Sequence, residues 1–415
     1  MDNRRYYGLD ALRGGMMMLG IVLHAAMLYL ASPPPTMPIP TDANNSPVFD
    51  LVFHFIHSFR MPTFFVLSGF FTALLVEKRG AWGTLKNRAA RILAPLVAGV
   101  FTILPLTVLF MLDFMIAARY GIFELIPSRG DAMALASSVA ARSIEVDKHE
   151  GEVALAHLWF LYYLCYFYLL IPICRWLVTL SLPHEGKVGR LLAWPPLLVV
   201  FALYTAATLW PFHGGQVQEG FIFLKPHPPS LLYYGSFFVI GYFFHHYRDF
   251  LQALARRVPA WALLSAVCFP LALYLSHLDN DLRGKDFALH LAAVLSNGLC
   301  TWALIYLFIG GALRFFDRDS PWIQYTSQSS YWVFLVHMPL VNLAGWWLVR
   351  YDLPAMIKFV LVCAFTAAVA FLTFHFWVQK TWLSSFLHGR RFDLEWPWRK
   401  PQVKMESIAP SASGD

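Results

Sequence analysis

Ionisable side chains recur at helical spacing inside apolar stretches of this sequence. In LDALRGGMMMLGIVLHAA, Arg13 and His24 stand eleven residues apart. That is just over three full turns, so both side chains share one helix face, about 16 Å apart along the axis. A neutral imidazole can take a proton from a hydroxyl, and a guanidinium at the other end of the same face can hold a phosphate. In FDLVFHFIHSFRMPTFFVLSGFF, His54, His57 and Arg60 follow at spacings of three and are expected along one stripe. Counting from Pro47, His57 falls about 15 Å down its helix, close to the depth of His24. Charged and titratable groups at membrane depth are costly and tend to line functional cavities.

Further polar residues are scattered through the apolar runs. His157 opens HLWFL beside Trp159, His337 sits in YWVFLVHMPL just before Pro339, and His375 lies near the end of the final run. Each alone suits an interhelical hydrogen bond; together they predict a polar interior. In KNRAARILAPL, Arg88 and Arg91 occupy positions i and i+3. Two guanidiniums on one face suit bidentate phosphate binding, and the same spacing suits a simple topology anchor. No HxxxH pair with a carboxylate occurs, so no metal site is expected. The five cysteines fall inside apolar stretches without CxxC spacing and read as reduced packing residues.

The elements that must position these groups are membrane helices. The 415 residues are 58% hydrophobic and only 14% charged, against about 25% charged in soluble domains. Apolar runs predict an all-α integral membrane protein of about ten transmembrane helices, at 10–31, 49–76, 91–116, 155–180, 191–210, 231–247, 259–277, 287–313, 328–349 and 354–379. Lys and Arg concentrate in alternate loops, which predicts that the N- and C-termini are both cytoplasmic. The formal charge of +7 is dispersed over these loops and forms no nucleic-acid-binding face. The first run is too long for a signal-peptide core and reads as a retained helix. On the outer side, the proline-rich segment 32–47 and the long connection 117–154 suit a substrate entrance, with an interfacial helix expected over 131–144. FFVLSGFF at 64–71 is echoed by FFVIGYFF at 237–244, too briefly for a repeat. The expected division is a transmembrane domain at 1–385 and a cytoplasmic tail at 386–415, disordered past about 400.

LDALRG with its Arg13-to-His24 spacing, FFVLSGFF, RAARILAPL and YWVFLVHMPL together resemble the membrane acyltransferase-3 family, in the family's order over about residues 6–390. FIHSFRMPTFFVLSGFF, HLWFLYYL and His375 are similar to one branch of it, whose members succinylate osmoregulated periplasmic glucans. The resemblance implies transfer of an acyl group, succinyl or else acetyl, from cytoplasmic acyl-CoA to a carbohydrate hydroxyl across the bacterial inner membrane. Acyl-CoA would be a co-substrate with no cofactor permanently bound, and the acceptor a periplasmic glucan or another envelope polysaccharide. It implies His24 as the catalytic histidine with Arg13 as its motif partner, and Arg88 and Arg91 near the CoA phosphates. Reading the residues beside it adds Arg13 as a further phosphate ligand. It also adds His57, Arg60 and His337 as groups that stabilise an oxyanion, and His54, His157 and Trp159 along the acceptor path. The competing readings are a transporter or flippase of an envelope glycan, with a histidine proton relay, and a sensor or scaffold of an envelope-synthesis complex.

Overall fold

A computed structural model describes residues 6–33, 41–123, 155–181, 197–217 and 226–397. Every regular element among them is helical, as a lipid environment demands, because a helix satisfies its own backbone N–H and C=O groups. The helices are α1 (Tyr7–Met27), α2 (Pro47–Arg88), α3 (Ala94–Tyr120), α4 (Trp159–Tyr168), α5 (Ile171–Ser181), α6 (Leu197–Leu209), α7 (Pro228–Phe244), α8 (Arg248–Arg256), α9 (Val258–Asp281), α10 (Phe287–Phe315), α11 (Pro321–Leu348), α12 (Ala355–Thr373) and α13 (Trp382–His388).

A helix lies on the described part of each of the ten apolar runs. By length and hydropathy, however, six stretches of the described residues qualify as membrane spans, or seven when the pair 156–168 and 171–180, bent by 51°, counts as one. The difference between ten and seven has three causes. Residues 47–120 are helical almost throughout and count once, although Gly80 (φ 71°) breaks the helix within them. The 13-residue α6 is too short to qualify alone. So is α7, at 17 residues. The chain is thus an all-helical, multi-pass membrane protein. The interfacial helix expected at 131–144 and the disorder expected past about 400 both fall outside the described residues.

Helix α1 runs through the middle of the bundle, packed by α2, α10, α11 and α12. The echoed segments at 64–71 and 237–244 prove to be a helix crossing. A Cβ at Gly69 would lie 1.9 Å from the Phe238 carbonyl oxygen, and one at Gly241 would lie 2.0 Å from that of Val66. Small residues here let α2 and α7 touch backbone to backbone, which is how helices pack tightly where lipid removes the hydrophobic drive. At the end of the bundle beyond His24, Asp42 accepts two bonds from Lys358 of α12, at 2.9 and 2.7 Å. Both side chains are almost fully buried, 2% and 1% exposed.

Removing one member of that pair strands the other charge in the interior, a loss of about 3–5 kcal/mol. Lys358→Ala should therefore lower the thermal unfolding midpoint in detergent sharply. Asp42→Leu combined with Lys358→Met should regain most of it, whereas a double variant no more stable than the single one would rule out the stranded charge as the cause.

Candidate active site

Two prolines shape the polar interior. Pro339 in α11 has no N–H, so the carbonyl of Leu335, four residues earlier, loses its helical donor. His157, in the tight turn that opens α4, supplies one: its Nε2–H donates to the Leu335 oxygen at 3.0 Å. Pro62 in α2 likewise frees the Ser58 carbonyl, and Thr301 Oγ of α10 donates to it at 3.1 Å. These bonds pin α11 and α2 at the two places where ionisable residues follow.

His337 lies two residues past Leu335, and its Nδ1–H donates to the Phe334 carbonyl at 2.6 Å. That bond assigns the tautomer and leaves a lone pair on Nε2, which is buried without a partner. The same reasoning leaves the lone pair of His157 on Nδ1, also buried and unpartnered. The His337 ring centre is 5.1 Å from that of His24 and 5.1 Å from that of His157. His24 rests its Nδ1 against the Met27 sulfur at 3.3 Å. Arg60, 5% exposed, joins them: its Nε–H donates to the Met16 carbonyl at 2.9 Å. Gly20 makes room for this, since a Cβ there would sit 2.5 Å from Arg60 Nη2 and 3.4 Å from His337 Nε2. Three imidazoles and one guanidinium thus converge beside the bare backbone of α1.

His54 and His57 face elsewhere. His57 Nε2–H donates to the Val217 carbonyl at 2.8 Å, and its ring stacks on Phe53. His54 Nδ1–H reaches Gln216 Oε1 at 3.3 Å. Gln216 in turn donates to Asn297 at 3.2 Å, and His290, held by Asp279 at 2.8 Å and the Trp210 carbonyl at 3.0 Å, anchors the same segment. These two histidines brace residues 213–217 against α2. Trp159 packs in an aromatic layer with Phe65, Tyr163 and Tyr234.

At the Arg13 end of α1 lies a cavity of about 320 Å³, into which Arg13, Arg88, Arg91, Arg390 and His388 face. Arg13 donates to Ser327 Oγ at 2.7 Å, pairs with Asp10 at 3.1 Å and lies over the Phe71 ring. Arg88 lies over Tyr168, its Nε buried without a partner. Arg91 donates to the Ser385 and Phe386 carbonyls, the latter at 2.7 Å. His388 is held neutral, its pKa drawn down to about 4 by burial first and by Arg13 next. Arg390 and His388 belong to the stretch 386–415 that composition marks as a cytoplasmic tail, so no sequence motif ties them to the site. Their only signal was the aromatic content of the stretch that follows, Phe392 and Trp396.

Phe64, Phe160 and Met17 line the cavity's apolar wall. Each is three or four residues from Arg60, His157 or Gly20, so this wall stops about one helical turn, roughly 5 Å, short of the cluster. Ser68 also lines the cavity. The arrangement offers cations for a polyanion at one end, an apolar wall leading inward, and, about one helical turn beyond it, unpartnered basic nitrogens with a guanidinium.

If His157 serves the freed carbonyl, His157→Ala should lower stability by about 1–3 kcal/mol through the unpaired acceptor. Pro339→Ala restores an N–H to that carbonyl, so His157→Ala should cost much less in its background. A thermal-unfolding double-mutant cycle reads this non-additivity, and additive losses would show that His157 supports something else.

The chain is similar to the glucans biosynthesis protein C of Escherichia coli strain K12, with 24% identity over 424 residues and 97% of each chain covered. It is 24% identical over 426 residues to the protein of that name from Escherichia coli O6:K15:H31 strain 536, again over 97% of each chain. No solved structure matches it. Residues 6–375, nearly the whole helical bundle, match the acyltransferase domain of the acyltransferase-3 type, and the chain belongs to that family of membrane acyltransferases.

Proposed function

We propose that the protein moves an acyl group, succinyl in preference to acetyl, from cytoplasmic acyl-CoA to hydroxyls of a periplasmic glucan in the bacterial inner membrane. In this reading the chain crosses ten times with both termini in the cytoplasm, as the alternation of Lys and Arg among the loops favours. The observation that carries the proposal is the pairing of two sites along α1. An arginine-lined cavity lies at Arg13, and a histidine–arginine cluster lies about 16 Å away at His24. A donor with phosphates at one end and a thioester at the other fits that separation. The glucan acceptor is favoured by the name of the relatives that align over 97% of the chain.

In the transfer, His24 takes the proton of the attacking sugar hydroxyl as its oxygen bonds to the thioester carbon. The carbon–sulfur bond then breaks, and the departing CoA thiolate takes that proton from the His24 imidazolium, which returns to the neutral base. Arg60 suits the developing oxyanion, being always charged and retaining free donors beyond the Nε that Met16 holds. His337 suits the base side better than the oxyanion side. Its only N–H is committed to Phe334, and its free nitrogen accepts. A positioned base contributes about 10²–10⁴-fold.

Membranes carrying wild type or His24→Ala, at equal expression, should be given labelled succinyl-CoA or acetyl-CoA with periplasmic glucan. The expected result is labelled glucan with wild type, more from the succinyl donor, and a loss of about 10²–10⁴-fold in the variant. Undiminished transfer by the variant would remove His24 from its role. No transfer by wild type from either donor would overturn the proposed reaction.

A further inference from the structure

The four arginines around the cavity divide into two kinds. Arg13 is committed to Ser327 and Asp10. Arg91 is committed to the carbonyls of Ser385 and Phe386 in the last turn of α13, of which Ser385 also accepts from the Gly389 N–H at 2.9 Å. Arg88 and Arg390 instead rest only against rings, Tyr168 at 5.3 Å and Phe392 at 5.0 Å, with no ion pair or hydrogen bond to their guanidiniums among the described residues. Open guanidinium donors facing a cavity suit phosphate oxygens.

Arg390 reaches the cavity because the chain after α13 folds back. Gly389 turns it with φ +82°, and a Cβ there would lie 2.9 Å from Arg91 Nη2, so the turn sits directly on that guanidinium. Past the turn, the Arg390 carbonyl accepts from Ser384 at 2.9 Å. The backbone of Phe392 donates to the Gln379 carbonyl at 2.8 Å, and that of Leu394 to the Gln379 side chain at 3.1 Å. Trp396 stacks on His375 with ring centres 3.8 Å apart. Residues 382–396 are therefore a strap fastened at both ends, with Arg390 held at the cavity mouth between the fastenings.

We infer that Arg390, paired with Arg88, binds phosphate groups of the nucleotide end of the acyl donor, and that Arg91 is the positioning residue that holds the strap in place. This rests on the acyl-CoA reading above. It assigns Arg91 a role through Arg390, where the sequence suggested direct contact with phosphate.

The test is CoA binding to the purified full-length protein by titration calorimetry, with a phosphate-free pantetheine thioester as the second probe. Arg390→Gln should weaken CoA by about 10- to 100-fold, the worth of a charge-assisted bond or two, and leave the pantetheine probe unmoved. Arg91→Ala should weaken CoA to a similar degree. Adding Arg390→Gln to Arg91→Ala should cause little further loss, because both act on one contact. Arg390 is exposed, so its variant folds independently of the outcome for Arg91. Unchanged CoA affinity in Arg390→Gln, equal loss for both probes, or additive losses in the double variant would overturn the inference. Wild type that binds the pantetheine probe but gains nothing from the phosphates overturns it while sparing the acyl-donor reading. Wild type that binds neither probe overturns that reading itself.

Discussion

A backbone carbonyl inside a bundle without water has to find its donor within the protein, and Pro339 takes one away from Leu335. Much of the cluster's arrangement follows from how that vacancy is filled. His157 comes from another helix to donate to Leu335, and in doing so its ring is brought within 5.1 Å of His337. The remaining nitrogen of each ring is left as an unpartnered lone pair. The same device operates at Pro62, where Thr301 holds the Ser58 carbonyl two residues before Arg60. The helices that carry Arg60 and His337 are thus fixed from outside at their weakest points. The geometry of the ionisable groups is coupled to satisfaction of the backbone.

Arg60 shows how the bundle tolerates a charge. An isolated guanidinium in an apolar interior would be very unfavourable, but this one donates to the Met16 carbonyl and lies against α1 where Gly20 exposes the backbone. Fixed donors in a dry site act strongly on charge that develops nearby and need no reorganisation when it does. Gly20 serves the cluster by being small, since any side chain there would push the guanidinium away from His337. At the far end, Asp42 and Lys358 use mutual pairing to tie the chain that follows α1 to α12.

The elements themselves were legible from apolar runs, and the Arg13-to-His24 spacing marks the two ends of α1 that carry different chemistry. What escaped the pattern was angular. Residues three apart drift by about 60° around a helix, so His54, His57 and Arg60 do not share one face as the stripe suggested. Arg60 turns to α1, while His57 and His54 turn to Val217 and Gln216. Pro339 announced a free carbonyl at Leu335 four residues before it, but no local pattern could name His157, 178 residues away, as its donor. Arg390 was hidden for a related reason. The stretch after Leu387 is polar and short, and what makes it a wall of the cavity is a set of bonds to Arg91, Gln379 and His375, visible only once the chain has folded.

Separating the arginines from the histidines also limits where selectivity can reside. Phosphates are too strongly hydrated to enter an apolar interior, so on the acyl-CoA reading they stop at the mouth, and the length of the donor alone would carry its thioester inward. Every acyl-CoA presents the same nucleotide, so the mouth cannot tell one acyl group from another. On that reading, discrimination would arise within reach of Arg60. A succinyl group brings a carboxylate that needs a cation, whereas an acetyl group brings none. Arg60 has donors left after its bond to Met16, and its rigid fork can serve a carboxylate and an oxyanion on different edges. The feature that lets the bundle hold a buried charge is then the feature by which it would recognise a charged acyl group.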